Sequence, residues 1–184
     1  MSQNSSRRAV RERPESAEMI VLDANILIRA VLGKRVRQLL ETYSEHGIRF
    51  YAPEVSYADA EKYLPALLKK RGKSDTDVPA ALTYLQFLIE PIGQDAYGLF
   101  EAEARQRLRS RDEEDWPVLA TALSLSCAIW TEDTDFFGAG VAVWTSDRVE
   151  IFLKEQSKLR DSEEVNDSEK AGHTEQSPAP AFVI

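Results

Sequence analysis

The sequence predicts an α/β fold, a central mainly parallel sheet covered by helices on both faces. Three observations predict it. Short apolar runs alternate with stretches of helical periodicity through the middle of the chain, as they do where crossover helices cover a parallel sheet. The runs MIVLD and CAIWTED are continuously apolar before their polar ends, which fits strands buried on both faces. Each run also leads into an aspartate, Asp23 and Asp133. In open sheets of this kind ligands bind beyond the carboxyl ends of the strands, near the point where strand order reverses.

The elements follow in order. MIVLD is a short buried strand, and ANILIRAV and RVRQLLETYSEH read as helices with Gly47 as a C-terminal cap. IRFYA is a second strand, and Pro53 stands at a helix start, a position that tolerates proline. A long helix follows to about Lys70, and the next begins near Pro79 and runs through ALTYLQFL. IEPI is a short, weak strand; AYGLFEAEARQRLRS is a helix with a basic last turn. After Asp115 comes the helix WPVLATALSL with Pro117 in its first turn, then the strands CAIWT and VAVW, and a closing helix DRVEIFLKEQ.

A chain of 184 residues suits one domain with a sizeable core. Residues 1–18 are polar and without periodicity, and are expected to form a disordered leader. Residues 159–184 are acidic and contain Ser and Pro, and are expected to form a disordered tail. The folded domain is then 19–158. A hydrophobic content of 43% with 29% charged residues fits a soluble globular protein. The single Cys127 excludes a disulfide framework and fits a reducing compartment. Arg7, Arg8, Arg11 and Arg13 are not followed by the apolar region of a secretory signal, and no apolar run is long enough to span a bilayer. The expected location is the cytoplasm, with no membrane contact. A net charge of −8 argues against a simple electrostatic nucleic-acid binder. The basic residues are nevertheless grouped, as Lys34, Arg35 and Arg37, as Lys69, Lys70, Arg71 and Lys73, and as Arg105, Arg107, Arg109 and Arg111. Each group reads either as a solvated surface or as a grip on phosphates.

Four acids carry the chemistry: Asp23 and Asp133 after strands, Asp59 early in a helix, and Asp115 opening one. Hard divalent cations take oxygen ligands, typically carboxylates and waters. Each acid also has a plainer reading. Asp23 is a good helix cap, with Asn25 helping. The cluster Asp112, Glu113, Glu114 and Asp115 complements a helix dipole, and only one member need face a pocket. TEDTDFF is harder to dismiss, because turns after buried strands more often carry Gly or Asn than Glu132, Asp133 and Asp135. Asp59 lies away from the helical stripe of Leu64, Leu67 and Leu68 and Glu61 borders it, and periodicity does not choose between them as a site acid. His46 and His173 form no ligand pair, Cys127 reads as a small core residue, and Trp116, Trp130 and Trp144 read as core or pocket wall.

The motifs IVLDANILI, APEVSYADAEKYL, RDEEDWPVLATALSL and AIWTEDTDF together resemble the PIN-domain nucleases, including the prokaryotic toxin ribonucleases of VapC type. The match runs from about Met19 to Leu153. The resemblance implies a three-layer α/β/α sandwich, dependence on Mg²⁺ or Mn²⁺, and hydrolysis of RNA. It places the family's four acids on Asp23, Asp59, Asp115 and Asp133, with Asp135 as an accessory; on this reading Asp23, Asp115 and Asp133 are expected to hold the metal and Asp59 to complete the pocket. Thr131 matches a hydroxyl position of the family. The family's second acid is normally Glu, so Glu61 competes with Asp59 for that place.

The expected function is therefore a metal-dependent endoribonuclease in which water attacks the phosphodiester in line, with no serine or cysteine nucleophile. The resemblance further implies the toxin of a toxin–antitoxin pair, dimeric and blocked by a small antitoxin protein. Two rivals stand beside this reading. A phosphatase of haloacid dehalogenase type also has an Asp after its first strand, but it adds a second Asp two residues on, where this chain has Asn25, and a Lys after a later strand. A non-catalytic PIN-like binding module would be favoured if the acids failed to meet in space.

Overall fold

The computed structural model describes residues 18–158; the expected leader and tail lie outside the described residues. Strand β1 (Met19–Leu22) leads into helix α1 (Ala24–Leu32), and α2 (Lys34–Glu45) follows after Gly33. Strand β2 (Arg49–Pro53) runs directly into the long α3 (Glu54–Lys70), and α4 (Val78–Leu85) precedes β3 (Ile89–Ile92). Helices α5 (Gln94–Tyr97), α6 (Glu101–Leu108) and α7 (Trp116–Leu125) come next, followed by β4 (Ala128–Trp130) and β5 (Val143–Trp144). A last helix, α8, covers residues 149–158.

The five strands are all parallel, in the order β3-β2-β1-β4-β5. Strand order therefore reverses at β1: the chain moves outward to β2 and β3, then returns to add β4 on the other side. The register pairs Leu22 with Trp130, so β1 and β4 end level at one edge of the sheet.

Alternation along β1 divides the core. Ile20 and Leu22 belong to one apolar cluster with Phe50, Trp130, the buried faces of α1 to α4, and Phe152 and Leu153 of α8. Val21, with Tyr51 and Ile129, belongs to a second cluster under α5, α6 and α7. The fold is thus a three-layer α/β/α sandwich, as expected. Trp130, with no exposed surface, closes its indole N–H onto Ser146 Oγ at 3.1 Å.

Local signals account for most boundaries. Helix α2 ends where Gly47 takes φ +81 and two bonds close the last turn, Ile48 N–H to Tyr43 O and Gly47 N–H to Ser44 O. That is the double-bonded C-terminal motif that glycine favours. Helix α7 ends in the same pattern, with Cys127 N–H to Ala122 O and Ser126 N–H to Leu123 O, but its left-handed residue is Ser126, at φ 52. Pro65 sits inside α3, where its missing N–H leaves the Glu61 carbonyl without its helical donor; Glu61 is exposed, so water can take that place. One expected helix is broken. Residues 94–108 form α5, a tight 3-10 turn at Gly98–Phe100, and then α6. Gly98, the poorest helix former in the stretch, stands at the break.

Candidate active site

The carboxyl edge where β1 and β4 end gathers the acids. Strand β1 stops at Leu22, and Asp23 takes extended backbone angles and caps α1. Its Oδ1 accepts from Ala24 N–H at 2.6 Å, and its Oδ2 accepts from Asn25 Nδ2 at 2.5 Å and Thr131 Oγ1 at 2.8 Å. The capping reading of Asp23 is therefore correct, and it coexists with a place in the acidic cluster.

Thr131, fully buried just after β4, ties the edge together. It donates to Asp23, and its oxygen accepts from Asn25 Nδ2 at 3.0 Å and from Asp133 N–H at 2.9 Å. A hydroxyl has one donor and two lone pairs, so Thr131 uses its whole capacity to fix Asp23 against Asp133. Asn25 completes the link by accepting from Glu132 N–H at 3.2 Å. The position that a haloacid dehalogenase fills with a second acid is here an amide engaged in structure.

Asp133 caps a 3-10 turn over Thr134–Phe136 and accepts from Asp135 N–H at 2.8 Å. The turn brings Asp135 back toward the pocket, and Arg111 donates to the Asp135 carbonyl from the far side. Glu132 turns away: it accepts from Ser146 N–H at 2.9 Å and pairs with Arg29 at 3.3 Å. Of the cluster before α7, Asp112 caps the local turn through Glu114 N–H, Glu113 and Glu114 are exposed, and Asp115 alone is half-buried. Helix α7 holds it there with a run of buried small residues, Ala120, Thr121 and Ala122, that lets the helix lie close on the sheet.

Electrostatics shows which acids meet. Burial pushes the Asp23 carboxyl above its ordinary range, the bonds from Thr131 and Ala24 pull it back, and Asp133 and Asp59 add repulsion. Asp115 is pushed up to about 7, first by burial and then by Asp23, Asp112, Asp133 and Asp135. Asp59 is half-buried on α3 and acts on Asp23, whereas Glu61 is exposed. Asp133 and Asp59 thus lie close enough for their charges to act on Asp23, and Asp23, Asp112, Asp133 and Asp135 close enough for theirs to act on Asp115. Asp115, Asp133 and Asp135 present carboxylate oxygens within 4.8 Å of one another, and Asp23, the third expected ligand, lies close enough to Asp115 and Asp133 for their charges to interact.

This set fits a hard divalent cation. Its donors are all carboxylate oxygens, and oxygens bound to one Mg²⁺ at about 2.1 Å lie no more than about 4.2 Å apart. Small side-chain rotations close that gap. The raised Asp115 carboxyl reflects burial first and the like charges around it second.

Sequence reasoning named Thr131 and Asn25 but missed the network they form. That network depends on β4 lying beside β1, which spacing alone does not reveal. Of the remaining residues, Cys127 is buried with its thiol pushed up to about 12 by burial, and Trp116 and Trp130 are buried as wall and core. His46 is exposed with Nδ1 2.7 Å from Thr42 O, and His173 lies outside the described residues.

Fold and site together define an all-parallel α/β protein with a cluster of carboxylates at its switch point. The sequence model of the PIN domain family matches residues 21–154, and the chain belongs to that family. A search of curated proteins gives no match. Among solved structures, the chain is similar to VapBC2 from Rickettsia felis, bound to a DNA fragment from its promoter. The TM-score is 0.54 with 14% identity, covering 69% of this chain and 98% of that one. VapBC-1 from nontypeable Haemophilus influenzae gives a TM-score of 0.51 with 15% identity, covering 71% and 99%. FitAcB from Neisseria gonorrhoeae gives 0.47 with 22% identity, covering 70% and 98%. At these identities the likeness to the two VapBC structures establishes the fold.

Proposed function

We propose that this PIN-domain protein is a metal-dependent endoribonuclease that hydrolyses RNA phosphodiester bonds. The observation that carries the reading is the set of Asp115, Asp133 and Asp135 carboxylates within 4.8 Å of one another at the strand switch point, with Asp23 close enough to act on Asp115 and Asp59 close enough to act on Asp23. Structural carboxylates are rarely crowded in this way, and perturbed groups of this kind cluster at functional sites.

Asp115, Asp133 and Asp135 would hold Mg²⁺ or Mn²⁺, with Asp23 beside them and Asp59 completing the rim. When bound, the cation supplies positive charge beside the scissile phosphate and acidifies water. The protein's own share is arrangement. Thr131 and Asn25 fix Asp23 in one rotamer, and the short turns after β4 and before α7 bring Asp133, Asp135 and Asp115 to a common point. Asp115 gives up its proton as a cation enters, so cation affinity should weaken as pH falls below about 7.

The PIN family and the VapBC likenesses support a further reading of the chain as the toxin of a toxin–antitoxin pair, forming a homodimer and held by a small antitoxin protein in the cytoplasm. No described helix is long and apolar enough to cross a membrane.

The test is cleavage of single-stranded RNA with Mg²⁺, Mn²⁺ or EDTA, comparing the native chain with Asp115→Asn and Asp133→Asn. Cleavage is expected only with the native chain and a divalent cation. Equal cleavage by the variants, or none under any condition, would sink the proposal.

A further inference from the structure

The fold brings two of the three basic groups together. Arg29 at the end of α1, Arg35 in the first turn of α2 and Arg71 at the end of α3 line one open cleft of about 240 Å³, with Leu32, Gly33 and Val36 as its floor. Arg71 reaches across to the Leu32 carbonyl at 3.5 Å, which joins the end of α3 to the α1–α2 corner. Lys69 and Lys70 stand in the last turn of α3 beside it. Among the described residues, Arg29 is ion-paired only to Glu132, and neither Arg35 nor Arg71 has an ion pair.

Helix α2 makes the cleft electrostatically unsatisfied. Its N-cap Gly33 has no side chain to accept from the first-turn amides, and the first turn carries no acid but does carry Lys34, Arg35 and Arg37. Cations at the positive end of a helix oppose its dipole. An anion seated there would answer both the free amides and the guanidinium groups. Asp147 and Glu150 lie close enough to Arg35 to feel its charge, but only weakly.

The cleft also has a direction. Asn25, Arg29 and Leu32 are spaced along one face of α1. Asn25 touches the Thr131–Glu132 corner of the acidic pocket, Arg29 pairs with Glu132 next to Asp133, and Leu32 floors the cleft. At 1.5 Å per helical residue, Gly33 lies about 15 Å from Asp23. A single nucleic-acid strand crossing the acidic pocket covers that distance within a few nucleotides.

We propose that the cleft of Arg29, Arg35 and Arg71 is a phosphate subsite that holds the RNA backbone a few nucleotides from the bond to be cut. This rests on the nuclease reading and adds to it. On a chain of net charge −8, a local cationic cleft lets a polyanion bind beside a carboxylate cluster that would otherwise repel it. Arg35 and Arg71 are positioning residues, since they grip the strand away from the reacting atoms.

The experiment is a binding titration of a fluorescent single-stranded RNA twelve-mer to the full chain in EDTA, repeated over a salt series. Native protein is compared with Arg35→Gln, Arg71→Gln and the double variant, with folding checked by circular dichroism. Two lost phosphate contacts should reduce the slope of log affinity against log salt by about 1.4 in the double variant. Arg35→Gln alone should reduce it by about 0.7. Arg35 donates no structural hydrogen bond among the described residues, so this variant remains informative if loss of Arg71 loosens the corner. In the cleavage assay with Mn²⁺ the same variants should raise KM more than they lower kcat. Native affinity and slope in folded variants overturn the subsite while leaving the nuclease reading intact. Absence of RNA binding by the native chain overturns both. Variants that bind RNA normally but release a bound acidic peptide, such as one copied from residues 159–184, would show that the cleft serves a protein segment and overturn the proposal.

Discussion

Asp115 is the residue whose protonation state most directly reports the acidic pocket. In the folded chain its carboxyl takes up a proton at about 7 against an ordinary value of 3.8. Between those values the folded state binds more protons than the unfolded chain. Metal-free stability should therefore fall as pH rises from about 4 to about 7, with the full penalty present above that range. Asp115→Asn should stabilise the metal-free protein at pH 8 by about 1–2 kcal/mol, allowing for solvent screening of a half-exposed group. It should change little at pH 4. Urea denaturation in EDTA at the two pH values measures this; a variant less stable at pH 8 would mean that Asp115 is mainly structural. Asp23 is a poorer probe, because its replacement also breaks the cap on α1 and the bond to Thr131. Thr131→Val keeps shape but removes one donor and two acceptor contacts at a fully buried site. It should cost about 1–3 kcal/mol, and Asp23 should become still harder to ionise, since Thr131 is what lowers its pKa most. Thr131→Ser should recover most of the loss in the same melts, which a purely steric role for the methyl group would not allow.

At the scale of elements, the strands and most helices were readable because their signals are local. A continuous apolar run makes β1 or β4, and Gly47 ends α2. The site was only partly readable. Asp23, Asp115 and Asp133 stand at element boundaries, where sequence pattern is informative. Asp135 depends on a three-residue 3-10 turn, too short to carry any periodicity. That Asp59 is half-buried and acts on Asp23 while Glu61 is exposed depends on how α3 packs, which the helical wheel of the sequence does not reveal. The end of α7 was equally hidden, because a serine fills a left-handed position where glycine is usual. The exposed Ser126 at φ 52 marks a place where the chain can be improved. Ser126→Gly should relieve about 1 kcal/mol of backbone strain and raise Tm by about 2–4 °C. Ser126→Val should lower it. Thermal melts of the pair check this, and equal Tm values would place the strain elsewhere.

For the whole molecule, the strand order is what brings separated acids to one edge of the sheet. Because β4 returns beside β1, Thr131 can reach Asp23, and the loops after both strands open on the same edge. The cost is concentrated negative charge on a chain already at −8, so cation binding and global stability should be linked. A cation that binds only the folded chain, at about 100 times its dissociation constant, contributes about 2.7 kcal/mol. For a domain of this size that is a Tm increase of about 5–10 °C. Mn²⁺ should produce it in the native chain and not in Asp133→Asn. The buried core of the described residues runs from Ile20 to Leu153 and is divided between the two faces of the sheet. Both the pocket acids and the network that fixes them fall inside that span. We therefore expect a fragment of residues 19–158 to melt cooperatively and to show the same Mn²⁺ shift as the full chain. A fragment that melts without cooperativity would show that residues outside this span complete the core. One that folds but loses the shift would place a needed ligand or support for the pocket outside it.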